Sequence, residues 1–126
     1  MISQILQPLK SWVKDGKLSF CLGADVGGSG IRFCISNFHD RQQTIEPGHI
    51  KTKNVYEFYK AISDMGNSIR SVVPNAKCVG ASFACAGLRK GNTIHVMNWK
   101  GSAKDQTINI PEIDHTMFPP DHSVML

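Results

Sequence analysis

Leu22-Gly23-Ala24-Asp25-Val26-Gly27-Gly28-Ser29-Gly30-Ile31-Arg32 is the stretch on which the fold turns. An apolar run ends in an aspartate, and one residue later the chain enters a glycine turn. A second apolar run starts at Ile31, so the pattern predicts two strands joined by a tight hairpin. Gly-Gly closes ordinary hairpins as well, and these eleven residues are compatible with one that has no further role. They also supply what an anion site needs: backbone N–H groups that no Cβ shields, and a carboxylate able to hold a hydrated Mg²⁺.

Working outward, residues 18–25 read as a buried strand and 31–38 as a second, with Ile31, Phe33 and Ile35 on one face. His39-Asp40-Arg41 turns the chain toward a third strand ending at 50–52, with Pro47-Gly48 at its edge. Residues 54–73 predict a helix, because the apolar positions 55, 58, 59, 62, 65, 69, 72 and 73 share one face. Asn54 with Glu57 opens it in a capping-box pattern, and Pro74-Asn75 stops it. The strand at 77–84 is then reached by a crossover and lies parallel to the first. Gly80, Ala81 and Ala84 imply a central strand packed closely on its neighbours. Gly91-Asn92 turns into a strand at 93–97. Pro111 opens a short helix to Phe118, Pro119-Pro120 ends it, and 123–126 begins another apolar strand. Before all of this, apolar positions at 2, 5, 6, 9, 12 and 13 form a helical stripe interrupted by Pro8. The expected organisation is a helical leader over 1–16 and an α/β lobe over 17–126, with a mixed sheet and a crossover helix.

A chain of 126 residues with 41% hydrophobic content has enough apolar surface for one core. The 14 basic and 10 acidic residues leave +4, but the longest basic cluster is Arg89-Lys90, so no nucleic-acid-binding stripe is expected. The cysteines at 21, 34, 78 and 85 form no Cys-x-x-Cys pair and read as small buried hydrophobes of a reducing compartment. The histidines show no metal-ligand spacing, so no zinc site is expected. Residues 1–16 lack the apolar core of a signal peptide, and no apolar run is of membrane-spanning length. The expectation is a soluble cytoplasmic protein with no membrane partner.

Asp25-Val26-Gly27-Gly28-Ser29 followed by Arg32 resembles the first phosphate motif of the sugar-kinase, Hsp70 and actin superfamily. Residues 24–33 most resemble the glucokinase and hexokinase branch. A second segment agrees. Val79-Gly80-Ala81-Ser82-Phe83-Ala84-Cys85-Ala86-Gly87, then Asn98-Trp99-Lys100-Gly101, is similar to the small-residue strand and sugar-binding loop of that branch. Two motifs in the right order are far more specific than either alone.

The resemblance implies the N-terminal lobe of a ribonuclease-H-like ATPase fold, and with it ATP and Mg²⁺ as cofactors. Asp25 would hold Mg²⁺ through water, and Gly27, Gly28 and Ser29 would contact phosphate. Asn98 and Lys100 would bind glucose or a related hexose, whose hydroxyls need both donors and acceptors. The implied reaction is transfer of the γ-phosphate of ATP to the 6-hydroxyl of glucose, the entry step of glycolysis. In the family the strand matching 123–126 runs into an Asn-Asp pair whose aspartate is the general base. That residue is expected just beyond Leu126, so the segment itself carries no catalytic base and is expected to be inactive alone. A homodimer is compatible with the family for the longer protein. Three positions depart from the pattern. Ser29 stands where Thr is usual and keeps the hydroxyl; Ala86 replaces a common Pro; Ala84 replaces a sugar-contacting Ser found in many hexokinases.

Each residue also has a plainer reading. Asp25 would cap a strand end, and Asn98 and Lys100 would be ordinary loop residues. Arg32 reads as a structural partner of a nearby carboxylate or carbonyl, Trp99 as core, and His95 as a surface or hydrogen-bond-satisfied histidine. A functional alternative from another class is a non-enzymatic sugar- or nucleotide-binding regulator, or a pseudokinase, on the same fold. The lack of a helix-turn-helix or basic extension before Leu18 counts against a DNA-binding repressor.

Overall fold

The glycine turn closes a hairpin of two long strands, β1 (Leu18–Gly27) and β2 (Gly30–Asn37), paired from Phe20↔Asn37 to Gly27↔Gly30. This computed structural model describes residues 2–97, 99, 103–117 and 124–125. The third strand, β3 (Asp40–Ile50), continues the antiparallel meander and forms the sheet edge, where Pro47 leaves no central ladder broken. The helix predicted next is α2 (Val55–Val72), preceded near the N-terminus by the four-residue α1 (Ile2–Ile5). Asn54 Oδ1 accepts the Glu57 N–H at 3.0 Å. The reciprocal bond runs from the Lys53 N–H to Glu57 Oε1 at 3.2 Å, one residue earlier than the usual capping box.

The crossover delivers β4 (Ala76–Cys85) parallel to β1, with Asp25 opposite Ala84 and Val26 opposite Cys85. A short outer strand, β8 (Val124–Met125), pairs parallel to β4, so the sheet order is β3-β2-β1-β4-β8. A second, three-stranded antiparallel sheet is made by β5 (Gly87–Lys90), β6 (Thr93–Val96) and β7 (Thr107–Asn109). It leads into α3 (Ile110–Met117), with Pro111 in its first turn as expected. The Asn109 N–H donates to the Tyr59 hydroxyl at 2.8 Å and so ties this sheet to α2.

Alternation along β1 and β2 puts Leu18, Phe20, Leu22 and Val26 with Ile31, Phe33 and Ile35 on one buried face. Phe58, Ile62, Met65 and Ile69 of α2 are buried in the same cluster, and the Phe58 ring lies 6.2 Å from that of Phe83 in β4. Burying one such side chain contributes about 1.5–3 kcal/mol.

Several expectations change in detail. The N-terminal stripe splits at Leu6: α1 gives way to a 3-10 turn, Gln7–Trp12, with Pro8 at its start, where its missing N–H breaks no helical bond. Its Leu6, Leu9 and Trp12 join the same core as the sheet. Close packing around Gly80 does not hold, since a Cβ there would meet no heavy atom within 4 Å. The side of the sheet bearing Cys21, Gly23, Asp25, Arg32, Cys34, Gly80, Ser82 and Ala84 is half-buried or exposed, and Gly80 looks onto that side. Pro119-Pro120 lie outside the described residues. No helix among the described residues is long and apolar enough to cross a membrane.

Candidate phosphate site at the hairpin turn

Because β1 and β4 are parallel, their carboxyl ends emerge at one edge of the sheet, the edge at which open α/β sheets bind ligands. The first motif and the strand that carries the start of the second therefore reach the same rim. Asp25 is the last outward-facing residue of β1 with a long polar side chain, and it is exposed. Gly28 and Ser29 form the two-residue apex between the paired Gly27 and Gly30.

A cavity of about 130 Å³ opens beside this turn, lined by Asp25, Gly27, Ser29, Gly30, Arg32 and His49. It adjoins a larger cleft of about 430 Å³ lined by Gly23, Ala24, Asp25, Arg32, Phe33, Cys34, Glu46 and Gly48. Asp25 and Arg32 belong to both. Of the residues assigned to phosphate, Asp25, Gly27 and Ser29 thus share one cavity, while Gly28 sits at the apex and does not line it. Asn98 and Lys100 lie outside the described residues. Between them, Trp99 is buried at 3% exposure, its ring 5.9 Å from Phe58, as expected of a core residue. Its indole N–H has no hydrogen-bond partner among the described residues.

Gly30 shows why the turn needs glycine. Its φ is +153°, and a Cβ there would run into the Ile50 carbonyl oxygen and stand 2.7 Å from His49 Nε2. Only a residue without a side chain lets the end of β3 close over the turn. Arg32 stands directly opposite Asp25 across the β1–β2 ladder. Contrary to the expected structural pairing, no hydrogen bond or ion pair joins Arg32 to a carboxylate or carbonyl among the described residues. Both charged groups thus face the cavity with hydrogen-bonding capacity in hand. The carboxylate of Asp25 and burial together raise the thiol of neighbouring Cys85, burial being the larger cause.

His49 was not found by sequence reasoning. Its place in the cavity depends on the β2–β3 register, and no motif marks it.

The mixed sheet and its crossover helix make an α/β fold of the kind found in the N-terminal lobe of sugar kinases. The fold matches the crystal structure of a glucokinase from Balamuthia mandrillaris in complex with glucose, at a TM-score of 0.80 and 22% identity. That match covers 98% of this chain and 34% of the other. No protein-family model matches the chain. In sequence the chain matches the N-terminal part of the glucokinase family. It is 39% identical over 122 residues to Glucokinase 1 of Trichomonas vaginalis, covering 97% of this chain and 32% of that protein. It is 34% identical over 125 residues to Probable glucokinase 2 of the same organism, covering 98% and 33% respectively. The chain thus spans about a third of the length of the curated relatives it matches.

Proposed function

We propose that this chain is the phosphate-binding part of a glucokinase-type enzyme that moves the γ-phosphate of ATP to the 6-hydroxyl of glucose. The observation that carries this reading is the cavity at the turn. It sets an exposed carboxylate, a hydroxyl and glycine backbone around a space at the carboxyl edge of the sheet. These residues fit a Mg²⁺–nucleotide: Asp25 supplies an anionic acceptor for metal-bound water, and Gly27, Gly28 and Ser29 supply small turn residues for a phosphate. When bound, Mg²⁺ would neutralise charge on the phosphate oxygens. The chain's own part is to hold those oxygens still, and positioning is most of what phosphoryl transfer asks of a protein.

In this reading Asn98 and Lys100, the sequence neighbours of buried Trp99, bind the hexose. The group that takes the proton from the sugar hydroxyl belongs to the other two-thirds of such an enzyme. Residues 17–126 form the lobe and 1–16 its helical leader. The enzyme works in the cytoplasm, with no nucleic-acid or membrane partner, and a homodimer of the longer protein is compatible with this reading.

The test is a chimera in which this chain replaces the homologous third of Trichomonas vaginalis Glucokinase 1. The chimera should make glucose 6-phosphate from glucose and MgATP. Asp25→Ala in it should lower kcat by about 100-fold or more with the melting temperature unchanged. A folded Asp25→Ala chimera that turns over at the parental rate removes the metal–phosphate role of Asp25.

A further inference from the structure

The histidine wall of the small cavity has a specific structural origin. Ile35 pairs with Ile45, yet two residues earlier Phe33 pairs with Gly48, so β3 carries one extra residue at Glu46-Pro47. This is a β-bulge. Pro47 has no N–H to leave unpaired, and Gly48 adopts a φ of +114° that favours glycine. A one-residue slip exchanges the two faces of a strand. Without the bulge His49 would stand opposite Ile31, whose face is buried in the core. With it, His49 stands opposite Arg32, which itself stands opposite Asp25, so the three form a row across β3, β2 and β1.

The imidazole is aimed at the turn, since a Cβ on Gly30 would lie 2.7 Å from its Nε2 and 2.8 Å from its Cε1. Among the described residues His49 has no hydrogen bond or ion pair, and its side chain is exposed to the cavity. The row therefore has a carboxylate at one end and two nitrogen donors toward the other. A phosphate carrying a cation matches that order, with the cation toward Asp25 and free oxygens toward Arg32 and His49.

We propose that His49 is a phosphate-positioning residue, its Nε2–H donating to a phosphoryl oxygen held over the 27–30 turn. The β3 bulge is the device that turns it onto this face. The proposal rests on the phosphate reading given above and adds a residue to it.

The experiment uses the 126-residue chain labelled with ¹⁵N, titrated with inorganic phosphate, MgADP and glucose 6-phosphate in separate arms. Side-chain histidine resonances and the backbone amides of Gly27, Ser29 and Gly30 are read together. Phosphate should move His49 Nε2 and the turn amides along one binding curve. Whichever of the two larger ligands binds more tightly than inorganic phosphate names the source of the phosphoryl group. His49→Ala should weaken binding about tenfold as read at the turn amides, and His49→Gln, which keeps an N–H donor, should recover most of that loss. Turn amides that shift while His49 stays still, with His49→Ala binding as tightly as the parent, overturn the role of His49 and leave the phosphate site standing. If neither the turn nor His49 responds to any of the three ligands, both readings fall.

Discussion

At the scale of the residue, Gly30 is the least replaceable position in the site. Its backbone conformation is strained for any L side chain, and the space a Cβ would need is taken by the Ile50 backbone and the His49 ring. Gly30→Ala should therefore lower stability by about 2–3 kcal/mol, measured by chemical denaturation. It should also lift the end of β3 away from the turn, visible as altered amide shifts at His49 and Ile50. The thiols give a prediction in pH. Burial pushes Cys78 up to about 12 from the ordinary 9.0, and burial also raises Cys34 and Cys85. A thiol raised in the folded state stays neutral there while the unfolded chain ionises, so these groups leave stability unchanged below about pH 9 and reduce it above. The denaturation midpoint should be level from pH 6 to 8 and drop above pH 9. Cys78→Ala should shrink that drop; a drop of the same size in the variant would locate it elsewhere.

At the scale of the element, α2 packs against the sheet core, and its start is capped by the side chains of Asn54 and Glu57. Asn54→Ala removes the acceptor for the Glu57 N–H and should cost about 1 kcal/mol, read from the unfolding midpoint. This helix was fully legible in the sequence, because its apolar stripe, cap and proline stop all agree on one answer. The β1–β2 hairpin was legible for the same reason, with glycines where the backbone demands them. Of the second sheet only β6 was, as the strand expected at 93–97. β5 carries Leu88, Arg89 and Lys90, all exposed, and β7 is three residues long, so neither offers an alternation to read. The site was legible at Asp25, Gly27 and Ser29, which lie next to one another in the chain. Arg32 was visible as a residue but not as a cavity wall. His49 depends on a register shift at Glu46-Pro47, and pairing register is a property of two strands rather than of either sequence. The Pro47-Gly48 pair was the available clue, and it points to a bulge as readily as to an edge.

At the scale of the whole molecule, the described residues make one side of the proposed phosphate site and leave one side of the main sheet half-open. Rate enhancement in phosphoryl transfer needs donors converging on the phosphate from several directions. The isolated 126-residue chain should accordingly form no glucose 6-phosphate above background in a coupled assay with MgATP. Turnover that depends on both magnesium and ATP would show that one side of the cleft is sufficient.

The place of β1 between an antiparallel and a parallel neighbour carries a consequence for how the chain is assembled. Its partner β2 follows after a two-residue turn, so that pairing closes within a short loop and can form early. Its other partner, β4, arrives only after β3 and the whole of α2 have been laid down. Long-range parallel pairing pays its loop entropy before it gains contacts, so the β1–β4 seam is expected to form more slowly than the β1–β2 hairpin. During synthesis on the ribosome the glycine turn is therefore shaped first, by local sequence, and the rim on which it acts closes only after β4 has been made. A nascent chain spends that interval with one edge of β1 unpaired and its apolar face uncovered, the period in which a chaperone has most to protect.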